Sequence, residues 1–231
     1  VTSLRTALIT GANRGIGLHV AQQLAARGMR VVLTARTAEA AQQALAGLQM
    51  SGAPAVALGV DVGDVASIRA AADELARRQI DVDILINNAG IYPEGGLLTT
   101  GDADLRQALD VNLLGPVHCA RAWMPGMLAR GFGRVVNLSS GYGCFSGGLG
   151  GPAAYSVSKA ALNAATLHLA ADCREDVKVV AVDPGWVRTR MGGPQAPRVV
   201  DDAAADVVWA ATLGADAPNG VLWRRRAVAP W

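Results

Sequence analysis

Lysine is almost missing from this 231-residue chain: Lys159 and Lys178 are the only two among 21 basic residues. Cysteine and histidine are equally scarce, at three each. Cys119, Cys144 and Cys173 are odd in number and form no Cys-x-x-Cys pair, so neither a disulfide framework nor a zinc site is expected. His19, His118 and His168 lie far apart without ligand spacing, and no bound metal is expected. The formal charge of +2 is spread along the chain except for Arg224-Arg225-Arg226. That is too little clustering for a nucleic-acid surface, and the triplet reads as a solvated turn. The longest uncharged stretch, Val135 to Ser158, is broken by glycines, serines, Asn137 and Pro152, so no membrane span is expected. No basic segment or cleavage site precedes the first apolar run, so no secretory signal is expected, and a cytoplasmic location suits free thiols.

What is present is apolar residues, at 51%. In a chain of this length they suit one domain over residues 1–231 with a large core. Runs rich in Val, Ile and Leu at 5–10, 31–35, 55–60, 84–87, 134–138, 177–182 and 221–223 are predicted strands. Between them, Ala-rich stretches at 15–27, 38–49, 65–78, 102–130, 152–172 and 201–213 are predicted helices. Such alternation predicts an α/β fold, a doubly wound, seven-stranded parallel sheet of Rossmann type.

The first strand ends in Thr10-Gly11-Ala12-Asn13-Arg14-Gly15-Ile16-Gly17, and a helix follows. Glycines at this place permit a tight turn and let backbone N–H groups approach a pyrophosphate at the positive helix end. A site for the 2′-hydroxyl of NAD usually carries an acid about twenty residues on. Here the second strand ends in Thr34-Ala35-Arg36, with no acid, and Arg14 lies on the glycine loop. Two guanidiniums and no carboxylate favour a 2′-phosphate, hence NADP.

Tyr155 and Lys159 stand four residues apart near a helix start and share a face. Tyrosine ordinarily ionises near pH 10, so a neighbouring cation is needed if it is to exchange protons near neutrality, and Lys159 supplies one. Pro152 fits the first helical position, which puts Tyr155 in the first turn, where the helix dipole favours negative charge. Ser139 and Ser140 end the fifth strand, where they read equally as turn formers or as donors to a substrate carbonyl. Asn112 precedes Pro116 by four residues, so the helix must kink where the Asn112 carbonyl loses its donor. That carbonyl then holds a water, or the side chain merely satisfies the broken backbone.

Taken in order, Thr10-Gly-x-x-x-Gly-x-Gly17, Asp61-Val62, Asn87-Asn88-Ala89-Gly90, Asn112, Ser140, Tyr155-x-x-x-Lys159 and Pro184-Gly185 resemble the short-chain dehydrogenase/reductase family over nearly the whole chain. Thr34-Ala35-Arg36 and Asp183-Pro-Gly-Trp-Val-Arg-Thr189 look most like its NADPH-dependent carbonyl reductase branch. The resemblance implies a catalytic set of Asn112, Ser140, Tyr155 and Lys159. It implies cofactor contacts from Gly11, Asn13, Arg14, Gly15, Ile16, Gly17 and Arg36, with Asp61 and Val62 beside the adenine and Asn88, Ala89 and Gly90 beside its ribose. Pro184, Gly185, Val187 and Thr189 would border the nicotinamide, whose ribose Lys159 would also bind. The activity implied is hydride transfer from NADPH to a ketone, aldehyde or quinone, with the proton coming from Tyr155.

Two alternatives stay open: dehydration or epimerisation on the same fold, and a non-catalytic NADP-sensing regulator, which should lack Tyr155 or Lys159. Tyr92, Phe145, Trp186 and Met191 are candidate pocket walls, though each is equally a packing residue. Arg188 and Arg190 meet an anionic substrate or solvent, and Cys144 is a reactive or a passive thiol. The short segment Arg190–Pro197 predicts an open pocket for a small-molecule substrate. A homodimer or homotetramer is compatible with everything above.

Overall fold

The computed structural model describes residues 4–47 and 52–231. Strands β1 (Thr6–Ile9), β2 (Arg30–Ala35), β3 (Ala55–Gly59), β4 (Ile84–Asn87), β5 (Phe132–Leu138), β6 (Asp176–Asp183), β7 (Leu222–Arg224) and β8 (Ala227–Ala229) form one sheet in the order β3-β2-β1-β4-β5-β6-β7-β8. The first seven pair in parallel. Helices α1 (Gly15–Ala25), α2 (Ala38–Ala46), α3 (Val65–Arg77), α4 (Asp102–Leu109), α5 (Gly115–Arg130), α6 (Ala153–Ala171) and α7 (Val200–Ala211) supply the crossovers and cover.

The apolar runs are continuous because both faces of the strands are covered. Ala7, Ile9, Val31, Leu33, Ile84 and Ile86 pack with Val20 and Leu24 of α1 and Val207 and Val208 of α7. Their neighbours Leu8, Val32, Leu85 and Val135 point the other way, onto Ile68 and Leu75 of α3 and Cys119, Trp123 and Met127 of α5. The chain runs outward from β1 to β3 and resumes at β4 on the far side of β1. This reversal opens a crevice at the carboxyl ends of β1 and β4, where open α/β sheets bind ligands.

Three expectations need correction. Among the described residues the sheet has eight strands, because β8 pairs antiparallel with β7 through a two-residue turn at Arg225 and Arg226. Both take left-handed backbone angles, φ 50° and 62°, which such hairpins normally give to Asn and Gly, so no turn signal announces the strand. The arginine triplet is exposed and makes the turn as expected, and two of its members are also ion-paired, Arg224 with Asp183 at 2.7 Å and Arg226 with Asp206 at 2.8 Å. The helix expected over 102–130 is split by a π-helical turn, Asp110–Leu114, in which Gly115 N–H bonds the carbonyl of Asp110. Pro116 cannot serve the Asn112 carbonyl, and widening the ladder by one residue absorbs the loss without a sharp break. Finally, Pro152 has ψ 138° and caps α6 from outside. The other predicted elements agree to within a few residues, except that the expected end of the second helix, at 48–49, lies outside the described residues. Among the described residues no helix is long and apolar enough to cross a membrane.

Candidate active site

The glycine turn between β1 and α1 is stitched to the end of β4. Thr10 Oγ1 accepts from the backbone N–H of Asn88 and of Ala89, both at 3.0 Å. The Asn88 amide donates back to the carbonyls of Thr10 and Gly11, at 2.8 and 3.0 Å. Gly11 holds φ +61°, and a Cβ there would lie 3.0 Å from the Cα of Ala89. A Cβ at Gly17 would run into the Asn88 amide, so Gly17 serves close packing behind the wall. No side chain caps α1 and no acid stands in its first turn. Its free N–H groups and positive dipole end therefore face the crevice, a ready anion site.

The crevice has a volume of about 820 Å³. Gly11, Asn13, Arg14, Gly15 and Ile16 line it together with Arg36, Asp61, Val62, Asn88, Ala89, Gly90, Pro184 and Thr189. Arg36 follows β2 directly, and Arg14 reaches the same space from the glycine turn. Thr189 packs over this turn, its Cγ2 3.6 Å from where a Gly15 Cβ would stand. Gly185 and Val187 stay off the wall; Gly185 N–H is held by Asp183 at 2.9 Å and Val187 is buried. His19, Thr37, Ala40, Val60, Ile91, Val111, Leu138 and Val200 also line it, unannounced by any motif, and Arg188 and Arg190 reach its wall. Thr37 was within reach of sequence reasoning, since Thr just before a helix is a cap signal, and its hydroxyl accepts from Ala40 N–H at 3.2 Å.

Tyr155 and Lys159 open into the far end of the same crevice. The Ser140 hydroxyl is close enough to the Tyr155 phenol to oppose the effect of burial on it. Lys159 Nζ donates to the Leu138 carbonyl at 2.7 Å and lies 5.7 Å from the Tyr155 ring centre. Ser139, although on the wall, is committed elsewhere: its hydroxyl bonds Asn163, whose amide in turn holds the Gly143 carbonyl. Ser140 alone of the two reaches the phenol.

Asn112 is fully buried in the π-helical turn. Its side chain exchanges two 2.9 Å bonds with the backbone of Ile91 and donates to Ser158 at 3.0 Å. Ser158 donates to the Tyr155 carbonyl, so Asn112 ties the β4 end to the first turn of α6. Its side chain is thus satisfied structurally, which leaves the main-chain carbonyl as the group open to chemistry.

Burial dominates the electrostatics. It pushes the Tyr155 phenol up to about 12, with the nearby Asp183, Tyr92 and Tyr142 adding to the rise and the Ser140 hydroxyl opposing it. Burial likewise pushes Lys159 down to about 8. Burial thus outweighs the other influences on both groups in the free protein. A phenol that keeps its proton at pH 7 is a proton donor rather than a resident phenolate.

The candidate substrate walls divide. Met191 alone of the four lines the crevice, while Tyr92 packs at a tilt against Tyr155 with ring centres 4.6 Å apart. Trp186 is 58% exposed and bonded through Nε1 to the Gly192 carbonyl, and Phe145 is 73% exposed and off the wall. Neither Trp186 nor Phe145 lines the crevice. Tyr142, unremarked in the sequence, follows Ser140 by two residues and donates its backbone N–H to the Ser140 hydroxyl at 3.2 Å. Cys144 is buried, and burial raises its thiol, so the passive reading of it holds.

Comparison with known proteins decides the family. Residues 5–199 match the short chain dehydrogenase family. The chain belongs to this family. As a short-chain dehydrogenase it is an oxidoreductase acting on a small molecule, built on a fold that binds a nicotinamide cofactor. It is 36% identical over 203 residues to the short-chain reductase protein NovJ of Streptomyces niveus, covering 87% of this chain and 76% of that one. Among solved structures it resembles a gluconate 5-dehydrogenase from Burkholderia cenocepacia J2315 in complex with NADP and tartrate (TM-score 0.86, 30% identity, 95% and 92% of the two chains). It also resembles an NADPH-bound carbonyl reductase from chicken fatty liver (TM-score 0.86, 28% identity, 99% of each chain).

Proposed function

We propose that this short-chain dehydrogenase reduces a ketone, aldehyde or quinone to the alcohol at the expense of NADPH, with Tyr155 as proton donor. The observation that carries the reading is one crevice with a protonated Tyr155 beside Ser140 at one end and Arg14 and Arg36 at the other. The crevice fits a dinucleotide by its volume, by the uncapped start of α1 and by the glycines that keep its floor clear. When bound, NADPH supplies the hydride.

The chain's own residues do the rest. The Ser140 hydroxyl orients the carbonyl oxygen, and Tyr155 Oη gives that oxygen its proton as negative charge develops there. An alkoxide is a far stronger base than a phenolate, so even a phenol pushed up to about 12 transfers its proton downhill. Lys159, protonated below pH 8, stabilises the phenolate left behind, and the Asn112 carbonyl takes part in returning a proton from solvent. Met191 bounds the space for the carbonyl's substituents, and Tyr92 backs the Tyr155 ring.

NADPH consumption over a panel of ketones, aldehydes and quinones tests the reaction. Turnover of at least one carbonyl is expected, and inertness towards the whole panel would overturn the reading. The cofactor is tested separately. Arg36→Asp is expected to weaken NADPH binding about 10- to 100-fold, the loss of a charge-assisted pair with a 2′-phosphate, and to leave NADH binding unchanged or improved. Fluorescence titration of both cofactors reads this, and an unmoved preference would count against the 2′-phosphate.

A further inference from the structure

The strand pair β7–β8 lies beyond the segment that matches the family, yet it is built into the back of the site. Asp183, the last residue of β6, is only 5% exposed, and a buried carboxylate must be paired. Its two oxygens accept from Gly185 N–H at 2.9 Å and from Arg224 Nε at 2.7 Å. Asp183 and Arg224 are also register partners between β6 and β7.

The turn that carries Ser140 rests on this pair. A Cβ at Gly141 would lie 3.0 Å from Arg224 Nη2 and 3.2 Å from Asp183 Oδ2. Further along the same turn, the Cys144 thiol donates to the Ser140 carbonyl at 3.6 Å and packs with Leu222, Ala229 and Trp231. Ser146 N–H bonds the Trp231 carbonyl at 3.0 Å. The hairpin is held despite the left-handed angles at Arg225 and Arg226, because Arg226 and Arg198 share Asp206 and Arg198 reaches the Pro184 carbonyl at 2.7 Å. Strained backbone persists only where its surroundings fix it.

We propose that Asp183 and Arg224 form a positioning pair for the reaction, seating the Ser140–Gly141 turn against Tyr155 and balancing the charge behind the phenol. The proposal builds on the reading of Tyr155 as proton donor. The groups facing that phenol are Lys159 from its own helix, Tyr92 from beyond β4, Ser140 and Tyr142 from the turn after β5, and Asp183 from β6. Asp183 holds the proton on Tyr155 more tightly, and Arg224, paired with Asp183 at 2.7 Å, offsets that charge. The two members of the pair therefore act on the phenol with opposite sign.

The test reads the phenol directly and needs no substrate. The free enzyme is jumped by stopped flow to about pH 11.5, and tyrosinate absorbance is taken as the difference between each variant and its Tyr155→Phe counterpart, which cancels Tyr92 and Tyr142. Asp183→Asn leaves Arg224 as an unbalanced cation and is expected to raise the Tyr155 tyrosinate signal about twofold or more. Arg224→Met leaves Asp183 unbalanced and is expected to lower it by about the same factor. The double variant and Arg224→Lys should both stay near wild type. A purely structural role would move both single variants alike, and signals that shift together, or not at all, overturn the pair. Should Arg224→Met fail to fold, a signal from Asp183→Asn that does not rise still overturns it. Tyr155→Phe turnover is a separate measurement, so loss of the proton-donor reading is distinguishable from loss of the pair.

Discussion

Tyr155→Phe should lower turnover of any carbonyl substrate by about 10²- to 10⁴-fold, the range that a positioned general acid contributes. The substitution removes one oxygen and keeps the ring, so the 4.6 Å packing against Tyr92 survives. Ser140 loses a neighbouring phenol but keeps the backbone N–H of Tyr142. Stability should therefore change by no more than about 1 kcal/mol, the net value of one hydrogen bond. NADPH affinity should stay within about threefold of wild type, because the glycine turn, Arg14 and Arg36 sit at the other end of the crevice and effects at distant sites are nearly additive. Single-turnover NADPH oxidation, read beside a binding titration, separates the two quantities. Turnover within tenfold of wild type would remove Tyr155 from the chemistry, and a parallel loss of binding would make the defect one of folding.

The sequence made the parallel sheet and most of the crevice legible, because the information is local. Unbroken Val/Ile/Leu runs demand cover on two faces, and a glycine turn after the first strand demands a close ligand or close packing. Tyr155 and Lys159 share a helix, so their spacing alone puts them on one face. What stayed hidden depends on contacts distant in sequence. The choice between Ser139 and Ser140 is made by Asn163 and Tyr155, which lie on a different element. The turn at Arg225 and Arg226 is held by carboxylates at 183 and 206, and no local rule puts arginine at left-handed angles. Burial was the other missing quantity. Spacing suggests that Lys159 acidifies Tyr155, whereas desolvation in the free protein outweighs it and drives both groups towards neutrality.

Lys159→Met should couple a severe loss of turnover to a gain in stability. Lys159 is buried, only 5% exposed, and its ammonium is pushed down to about 8 from an ordinary value of 10.5. Below pH 8 the folded and unfolded chains both carry the proton, and the folded state bears the whole cost of burying the charge. Between pH 8 and about 10.5 the folded chain has released that proton while the unfolded chain still holds it, so this group's contribution rises with pH. The cost at pH 7 is at most roughly 3 kcal/mol. Methionine matches the stem but leaves the Leu138 carbonyl without its donor, which costs about 1–2 kcal/mol. The variant without cofactor should thus be about 1–2 kcal/mol more stable than wild type at pH 7, and the difference should vanish or reverse by about pH 10. Comparing the two proteins matters, since the raised thiols of Cys119, Cys144 and Cys173 lower stability in both as pH climbs past 9. Urea unfolding at pH 7 and pH 9.5 reads the difference. A variant less stable than wild type at both, by an equal amount, would mean that Lys159 is a packing residue whose charge is already balanced. In the predicted case the chain tolerates a destabilising buried cation because the phenolate formed at Tyr155 during turnover needs it.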